Sequence, residues 1–319
     1  MTAAVPMTVV AVVGPTATGK SDLAVQIAGE LGAEVVNADA MQLYRGMDIG
    51  TAKLSVAQRR GIAHHQLDVL DVDQEASVAS YQRHARADLA ALRERQVRAV
   101  VVGGSGLYLR ALLDRMELPP TDPAVRARLE ERAASQDPAE LVRQLAVVDP
   151  VAAQRIGPNR RRLLRALEVI ELTGAPYSAT LPDPAYQEPT LQIGLDCRRE
   201  VLDSRIADRV DRMWVQGLVA EVRALAARGL GRTASRALGY SQVLAMLRGE
   251  LTEAQAQAEL ATGTRRLARR QMGWFGRDRR IHWLDVTEGR VLDRALELIG
   301  AGDAGRLAGP AGGRRRLGS

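Results

Sequence analysis

Gly14-Pro15-Thr16-Ala17-Thr18-Gly19-Lys20-Ser21 stands between a valine-rich run, Met7 to Val13, and an alanine- and leucine-bearing periodic stretch, Ser21 to Leu31. Strand, glycine loop and helix form the context in which Gly-x4-Gly-Lys-Ser becomes a phosphate-binding loop. The glycines let the backbone curl until successive N–H groups point into one concavity. The following helix adds the positive end of its dipole and Lys20 adds a formal charge. Ser21 is placed to ligate Mg2+ through its hydroxyl. Such a loop reports a bound diphosphate or polyphosphate, and leaves kinase, nucleoside triphosphatase and diphosphate-releasing transferase all open.

Lys20 and Lys53 are the only lysines among 44 basic residues. A compact ammonium and a planar guanidinium are not interchangeable around phosphate, so both lysines become site candidates. No apolar stretch approaches the roughly 20 residues that span a bilayer, and the run at Val9 to Val13 lacks signal-peptide flanks, so a cytoplasmic protein is expected. The single cysteine, Cys197, excludes an intramolecular disulfide and a Cys-based zinc site, and reads as structural. A net charge of +6 is weak evidence for an anionic partner, but its distribution is not uniform. Arginine gathers at Arg160, Arg161, Arg162 and Arg165, and again at Arg265, Arg266, Arg269 and Arg270. The second group puts Arg265 over Arg269 and Arg266 over Arg270 on one helix, a basic stripe suited to phosphates. Aromatics, at 3%, are too scarce for a broad stacking platform.

Further strand signatures at Ala33 to Ala38, Arg98 to Val102, Leu191 to Leu195 and Ile281 to Leu284 alternate with helical patterns. The expected class is α/β, a P-loop NTPase-like parallel sheet flanked by helices. Residues 119–189 break the alternation. Asp122-Pro123, Asp137-Pro138 and Asp149-Pro150 each open a helical pattern with a capping carboxylate and a proline at the first helical position, Asn159 opens a fourth, and Gly174 closes it. An all-helical insertion domain is therefore expected at 119–189, inside a core of 1–118 and 190–299. From Gly300 the glycine-rich sequence with its terminal arginines reads as a disordered basic tail, 300–319.

Asp39 follows the second strand and should emerge at the carboxyl edge of the sheet, where ligands of open α/β folds bind. Gly103-Gly104-Ser105-Gly106 ends the third strand at the same edge, with Ser105 able to donate to an oxygen. His64 and His65 have no Cys or third His near them, which argues against a metal site and for packing or hydrogen bonding to the Asp39 loop. Trp274, Phe275 and Trp283 read as core.

Together these elements resemble the tRNA dimethylallyltransferase family, also called tRNA isopentenyltransferase. The matching residues are Gly14 to Ser21, Asn37 to Gln42, Tyr44 to Lys53 with its string Met-Asp-Ile-Gly-Thr-Ala-Lys, His64-His65, Gly103 to Tyr108, Arg165 to Glu168, Ala237 to Tyr240 and Thr264 to Gln271. Ala40 stands where the family usually has serine, Ser105 where it has threonine, Arg266 where it has glutamine and Gly273 where it has threonine. The resemblance implies transfer of a dimethylallyl group from dimethylallyl diphosphate to N6 of the adenosine beside the anticodon, position 37, in tRNAs reading codons that begin with U. It implies diphosphate, or nucleotide phosphate, on Gly14, Pro15, Thr16, Ala17, Thr18, Gly19, Lys20 and Ser21, with Mg2+ at Ser21. Lys20, Ser105, Arg236 and the general base Asp39 would be catalytic. The anticodon stem-loop would contact Asp39, Ala40, Met41, Gln42, Ser105, Arg126, Arg161, Arg162, Leu163, Leu164, Arg165, Thr262, Gly263, Thr264, Arg265, Arg266 and Leu267. A monomer is expected.

Overall fold

In the computed structural model Val9–Val13 forms strand β1 with every residue buried. The structure describes residues 8–180 and 185–307, so Met7 lies outside it. The chain continues through α1 (Lys20–Leu31), β2 (Glu34–Asn37), a 3-10 turn (Ala40–Leu43), β3 (His64–His65), α2 (Val78–Glu94), β4 (Ala99–Val102) and α3 (Gly106–Leu113). Four helices follow, α4 (Pro123–Ala133), α5 (Pro138–Val148), α6 (Pro150–Ile156) and α7 (Arg160–Thr173). After β5 (Thr190–Asp196) come α8 (Arg199–Val215), α9 (Leu218–Ala227), α10 (Arg232–Ser235), α11 (Tyr240–Leu247), α12 (Glu253–Phe275), β6 (Ile281–Asp285) and α13 (Val291–Asp303).

Two compact units result, Met1–Leu113 with Tyr186–Ser319, and Asp114–Ala185. Both divisions fall a few residues before the expected 118/119 and 189/190.

The first unit is built on a parallel six-stranded sheet in the order β3-β2-β4-β1-β5-β6. Alternation along β1 explains its unbroken apolar sequence. Val9, Ala11 and Val13 face Tyr81, Ala85 and Leu89 of α2 and Leu112 of α3, whereas Val10 and Val12 face Leu23, Ala24 and Ile27 of α1 and Ile299 of α13. A strand covered on both faces has no polar side to show in its sequence. The two-residue β3 escapes sequence reading because it pairs through Val35–His64 and Val36–His65 alone. Its histidines do not serve the Asp39 loop: His65 Nε2 lies 2.7 Å from the Glu34 carboxylate, and His64 Nδ1 lies 2.8 Å from the Ile62 carbonyl.

Two further expectations change. Helix α13 runs through Gly300 to Asp303, because Ile299 is buried against the sheet and Asp303 pairs with Arg98 at 2.7 Å; tertiary packing outweighs the glycine propensity. Residues 308–319 of the expected tail lie outside the described residues. Trp274 is 40% exposed, whereas Phe275 is buried and Trp283 packs against the core. Cys197 is 1% exposed, and burial pushes its thiol up to about 11, as an inert structural cysteine requires.

In the second unit the side chains of Asp122, Asp137, Asp149 and Asn159 each accept a backbone N–H at the start of a helix, and Gly174 closes α7 in the left-handed conformation. Leu129, Leu141, Leu145, Leu163 and Leu164 fill the core. Glu168, 1% exposed, accepts from Thr121 Oγ1 at 2.6 Å and from the Asp122 N–H, and pairs with Arg126 at 3.2 Å and Arg165 at 3.0 Å. Burial opposes its charge, but the Thr121 hydroxyl and Arg165 more than offset this and hold the carboxyl below the ordinary range. Glu168→Ala leaves two guanidinium groups without their shared anion, and thermal denaturation should show a loss on the order of 2 kcal/mol.

Candidate active site

The phosphate loop takes its shape from two close approaches. Gly14 adopts φ 132°, and a Cβ there would stand 2.5 Å from the Leu195 carbonyl oxygen, so β1 can end against β5 only as glycine. Gly19, at φ 86°, turns the chain into α1. Inside the loop Thr18 Oγ1 and Lys20 Nζ both donate to the Pro15 carbonyl, at 2.9 and 2.7 Å. Among the described residues the backbone N–H groups of Ala17 through Asp22 have no protein acceptor. Six such donors beside an ammonium form an anion cradle.

Burial, then the charge of Arg209, pulls Lys20 down to about 7, with Asp39 opposing. Arg209 of α8 donates to Thr16 Oγ1 at 3.3 Å, which places its guanidinium at the loop. Asp39 caps the 3-10 turn by accepting the Met41 N–H at 3.0 Å. Asn37 fixes the Asp39 backbone, its Oδ1 accepting the Asp39 N–H and its Nδ2 donating to the Asp39 and Gln66 carbonyls. Burial raises the Asp39 carboxyl above its ordinary range, against the Met41 N–H, Lys20 and the Gln42 N–H.

One wall of the cleft is the loop that the Met47-to-Lys53 string forms. Lys53 does not reach the phosphate loop. Its ammonium donates to the Tyr44 carbonyl at 2.8 Å and to Asp48 and Asp68 at 2.7 and 2.6 Å, with the side chain 1% exposed. On the other side the Glu221 carboxylate accepts the N–H groups of Asp48, Ile49 and Gly50, and the Tyr240 hydroxyl at 2.5 Å. A Cβ at Gly50 would come within 2.5 Å of the Tyr240 ring. Gly50, Thr51 and Ala52 are thus pinned where they face the cavity.

The cavity has two adjoining halves. A polar half of about 110 Å³ is lined by the phosphate loop, Asn37, Gln42 and Gly103. A larger, mainly apolar half of about 290 Å³ is lined by Met41, Val210, Met213, Leu238, Leu260 and Leu267. Thr16, Lys20, Asp39, Gly104 and Arg209 border both. Ser21 lines the polar half, and the described residues hold no cluster of three carboxylate, histidine or cysteine ligands. One hydroxyl beside an anion cradle suits Mg2+, which keeps most of its waters and is held largely through substrate phosphates.

The structure brings together the phosphate loop, Asp39, Met41 and Gln42, with Thr264 and Leu267 of α12 on the apolar side. Ser105 stands behind that surface: its hydroxyl accepts the Ala40 N–H at 3.4 Å and steadies the Asp39 turn. Arg236 is exposed at the end of α10, and Ala237 and Leu238 directly after it line the cavity. Arg209, which sequence reading missed, stands at the phosphate loop, and no local signal marks it within an arginine-rich helix. Leu163 and Leu164 are 0% and 5% exposed and belong to the core of the second unit, so they offer RNA no surface. Arg126 and Arg165 spend donors on Glu168, and Arg165 also on the Pro119 and Pro120 carbonyls. Arg161 and Arg162 are exposed, as are Thr262 and Arg266; Gly263 lies under Leu238, and Arg265 faces Asp203 at 3.8 Å.

Residues 42–279 match the family model described as IPP transferase. The chain is 58% identical over 297 residues to a tRNA dimethylallyltransferase of Salinispora arenicola, covering 92% of this chain and 87% of that one. Against the Streptomyces coelicolor enzyme of the same name it is 58% identical over 289 residues, with coverage of 90% and 92%. A Bacillus halodurans tRNA isopentenylpyrophosphate transferase has a similar structure, at 36% identity and a TM-score of 0.69 over 94% of this chain and 96% of that one. So does a eukaryotic dimethylallyltransferase captured acting on tRNA, at 26% identity and a TM-score of 0.81 over 94% and 80%.

With Lys20 near 7, binding of a diphosphate favours the ammonium and so requires proton uptake above that pH. Pyrophosphate affinity should therefore weaken as pH rises above about 7, by up to about tenfold per pH unit, relative to Lys20→Met measured alongside to cancel titration of the anion itself. Calorimetric titration between pH 6 and 9 reads this, and parallel profiles for the two proteins would contradict it.

Proposed function

The chain belongs to the IPP transferase family, and on that premise we propose that it transfers a dimethylallyl group from dimethylallyl diphosphate to N6 of the adenosine at position 37 of tRNAs reading codons that begin with U. Diphosphate leaves and N6-(dimethylallyl)adenosine remains. The observation that carries the reading is the divided cleft: an anion cradle opens directly into an apolar chamber, and Asp39 stands at their junction.

In this reading the diphosphate lies on the N–H groups from Ala17 to Asp22, between Lys20 and Arg209, and the allyl chain projects into the apolar half. Adenine N6 attacks the allylic carbon, the carbon–oxygen bond breaks, and its electron pair moves onto the diphosphate. Donors already aimed at that oxygen cluster stabilise the developing charge without having to reorganise. The attacking nitrogen gives its proton to Asp39, whose raised affinity for protons suits a base that must accept from a weakly acidic amine. Bound Mg2+, held at Ser21, would supply further charge neutralisation to the leaving group. Asp39 also orients N6, because Met41 and Asn37 fix its turn.

For the RNA partner the supporting features are arginines, most of them exposed. Arg265, Arg266, Arg269 and Arg270 lie along α12, the helix whose Thr264, Leu267, Arg270 and Gln271 line the apolar chamber. Arg161 and Arg162 are exposed on α7 of the second unit. An anticodon loop presents its bases already partly unstacked, which lowers the cost of drawing one into a pocket. Among the described residues no helix is long and apolar enough to cross a membrane. We place the enzyme in the cytoplasm with its tRNA, acting as a monomer.

Incubation with labelled dimethylallyl diphosphate and unmodified tRNA, followed by nucleoside analysis, should put label into one adenosine only; label in free nucleotide or none at all would refute the assignment. Asp39→Asn should lower kcat by about 10²-fold or more while pyrophosphate affinity is kept. Arg209→Ala should weaken pyrophosphate binding and lower kcat together, and Arg236→Ala should leave pyrophosphate affinity unchanged. The opposite ranking of the two arginines would reverse their roles.

A further inference from the structure

Pro15 has no N–H, and Thr16 gives its own to the Gln271 side-chain oxygen at 2.8 Å. The Gln271 amide in turn donates to the Gly104 carbonyl at 3.0 Å. A Cβ at Gly104 would stand 2.3 Å from that amide nitrogen, so the glycine is what admits the carboxamide. Gln271 thereby spans from α12 to the phosphate loop and to the turn after β4, closing the front of the cradle. The unclaimed donors begin only at Ala17.

Thr16 borders both halves of the cavity, together with Asp39. A triphosphate laid on the donors from Ala17 to Asp22 would push its third phosphoryl group towards this neck. There the next donor is already occupied, and Lys20 and Arg209, which also border the neck, share it with the Asp39 carboxylate, so a third phosphoryl group gains no free backbone donor. An allylic chain carries no charge and needs none.

We infer that Gln271 limits the loop to two phosphoryl groups, a positioning residue that caps Thr16 so that a diphosphate is held and a triphosphate is turned away. The inference rests on the reading of the loop as a diphosphate site. It assigns to one carboxamide the distinction between this cradle and those that serve nucleoside triphosphates.

Calorimetry at fixed Mg2+ with inorganic pyrophosphate and with tripolyphosphate, on the full chain, tests it. The unaltered protein should prefer pyrophosphate. Gln271→Ala frees the Thr16 N–H and opens the neck, and should shift the preference about tenfold towards tripolyphosphate, the worth of one hydrogen bond to a charged group. Gln271→Glu keeps an acceptor for Thr16 and adds negative charge, and should hold the original preference. A merely structural role would weaken both anions alike, and an unchanged ratio in a folded Gln271→Ala protein overturns the inference. If that variant does not fold, Gly104→Ala displaces the same carboxamide and should move the ratio the same way, an unchanged ratio again overturning it. Failure of the unaltered protein to bind pyrophosphate would instead remove the diphosphate reading itself.

Discussion

Six consecutive backbone N–H groups without an acceptor among the described residues, Ala17 to Asp22, are the constraint around which the first unit is arranged. A buried parallel sheet satisfies its amides by strand pairing everywhere except at its ends, and the start of a helix leaves further donors free. Here the carboxyl end of β1 runs straight into the first turn of α1, so both deficits coincide. Lys20 adds an ammonium and Arg209 a guanidinium to the same few ångströms, each held against a loss of hydration. Such a concentration of positive potential supports the proposed diphosphate site. The features that complete the cleft, from the Gly14 approach to Leu195 through the Asn37 clamp on Asp39, keep that potential aimed at one place.

The opposite wall shows what a family-specific string can mean in physical terms. Met47 to Lys53 touches the cavity only through Gly50, Thr51 and Ala52. The remaining residues hold those three in place. Glu221 accepts three successive N–H groups, which demands a particular backbone curl, and the Tyr240 ring lies so close to Gly50 that no side chain fits. Burial and Glu221 push the Tyr240 hydroxyl well up, so it stays a donor to that carboxylate. Function depends on such residues through geometry, since none of them needs to meet a substrate.

Legibility in the sequence follows the range of the interaction. The phosphate loop, the strands at both its sides and the Asp-Pro helix starts were readable because their causes lie within a few residues of one another. Asp39 was readable because a strand end fixes which edge of the sheet it reaches. Arg209, Glu221 and Gln271 were not, since they meet the loop or the Asp48 turn across 193, 171 to 173 and 255 positions. Leu163 and Leu164 are the reverse case: they sit among arginines in sequence, but a helix turns adjacent residues to different faces, and theirs is the core.

The two lysines settle into different tasks with a shared reason for not being arginine. Lys53 has three ammonium protons and three acceptors, the Tyr44 carbonyl and the Asp48 and Asp68 carboxylates, all within 2.8 Å and converging on one buried point. A planar guanidinium spreads its donors over a fork and cannot bring them to a single point. Lys20 faces the same demand at the loop, where Nζ must lie 2.7 Å from the Pro15 carbonyl while still presenting charge to an anion. It differs in one respect. Lys53 keeps two carboxylates as permanent counter-charges, whereas Lys20 has only a carbonyl and the more distant Asp39, and pays for this with an ammonium held near 7. This imbalance supports the proposal that Lys20, and not Lys53, meets the diphosphate.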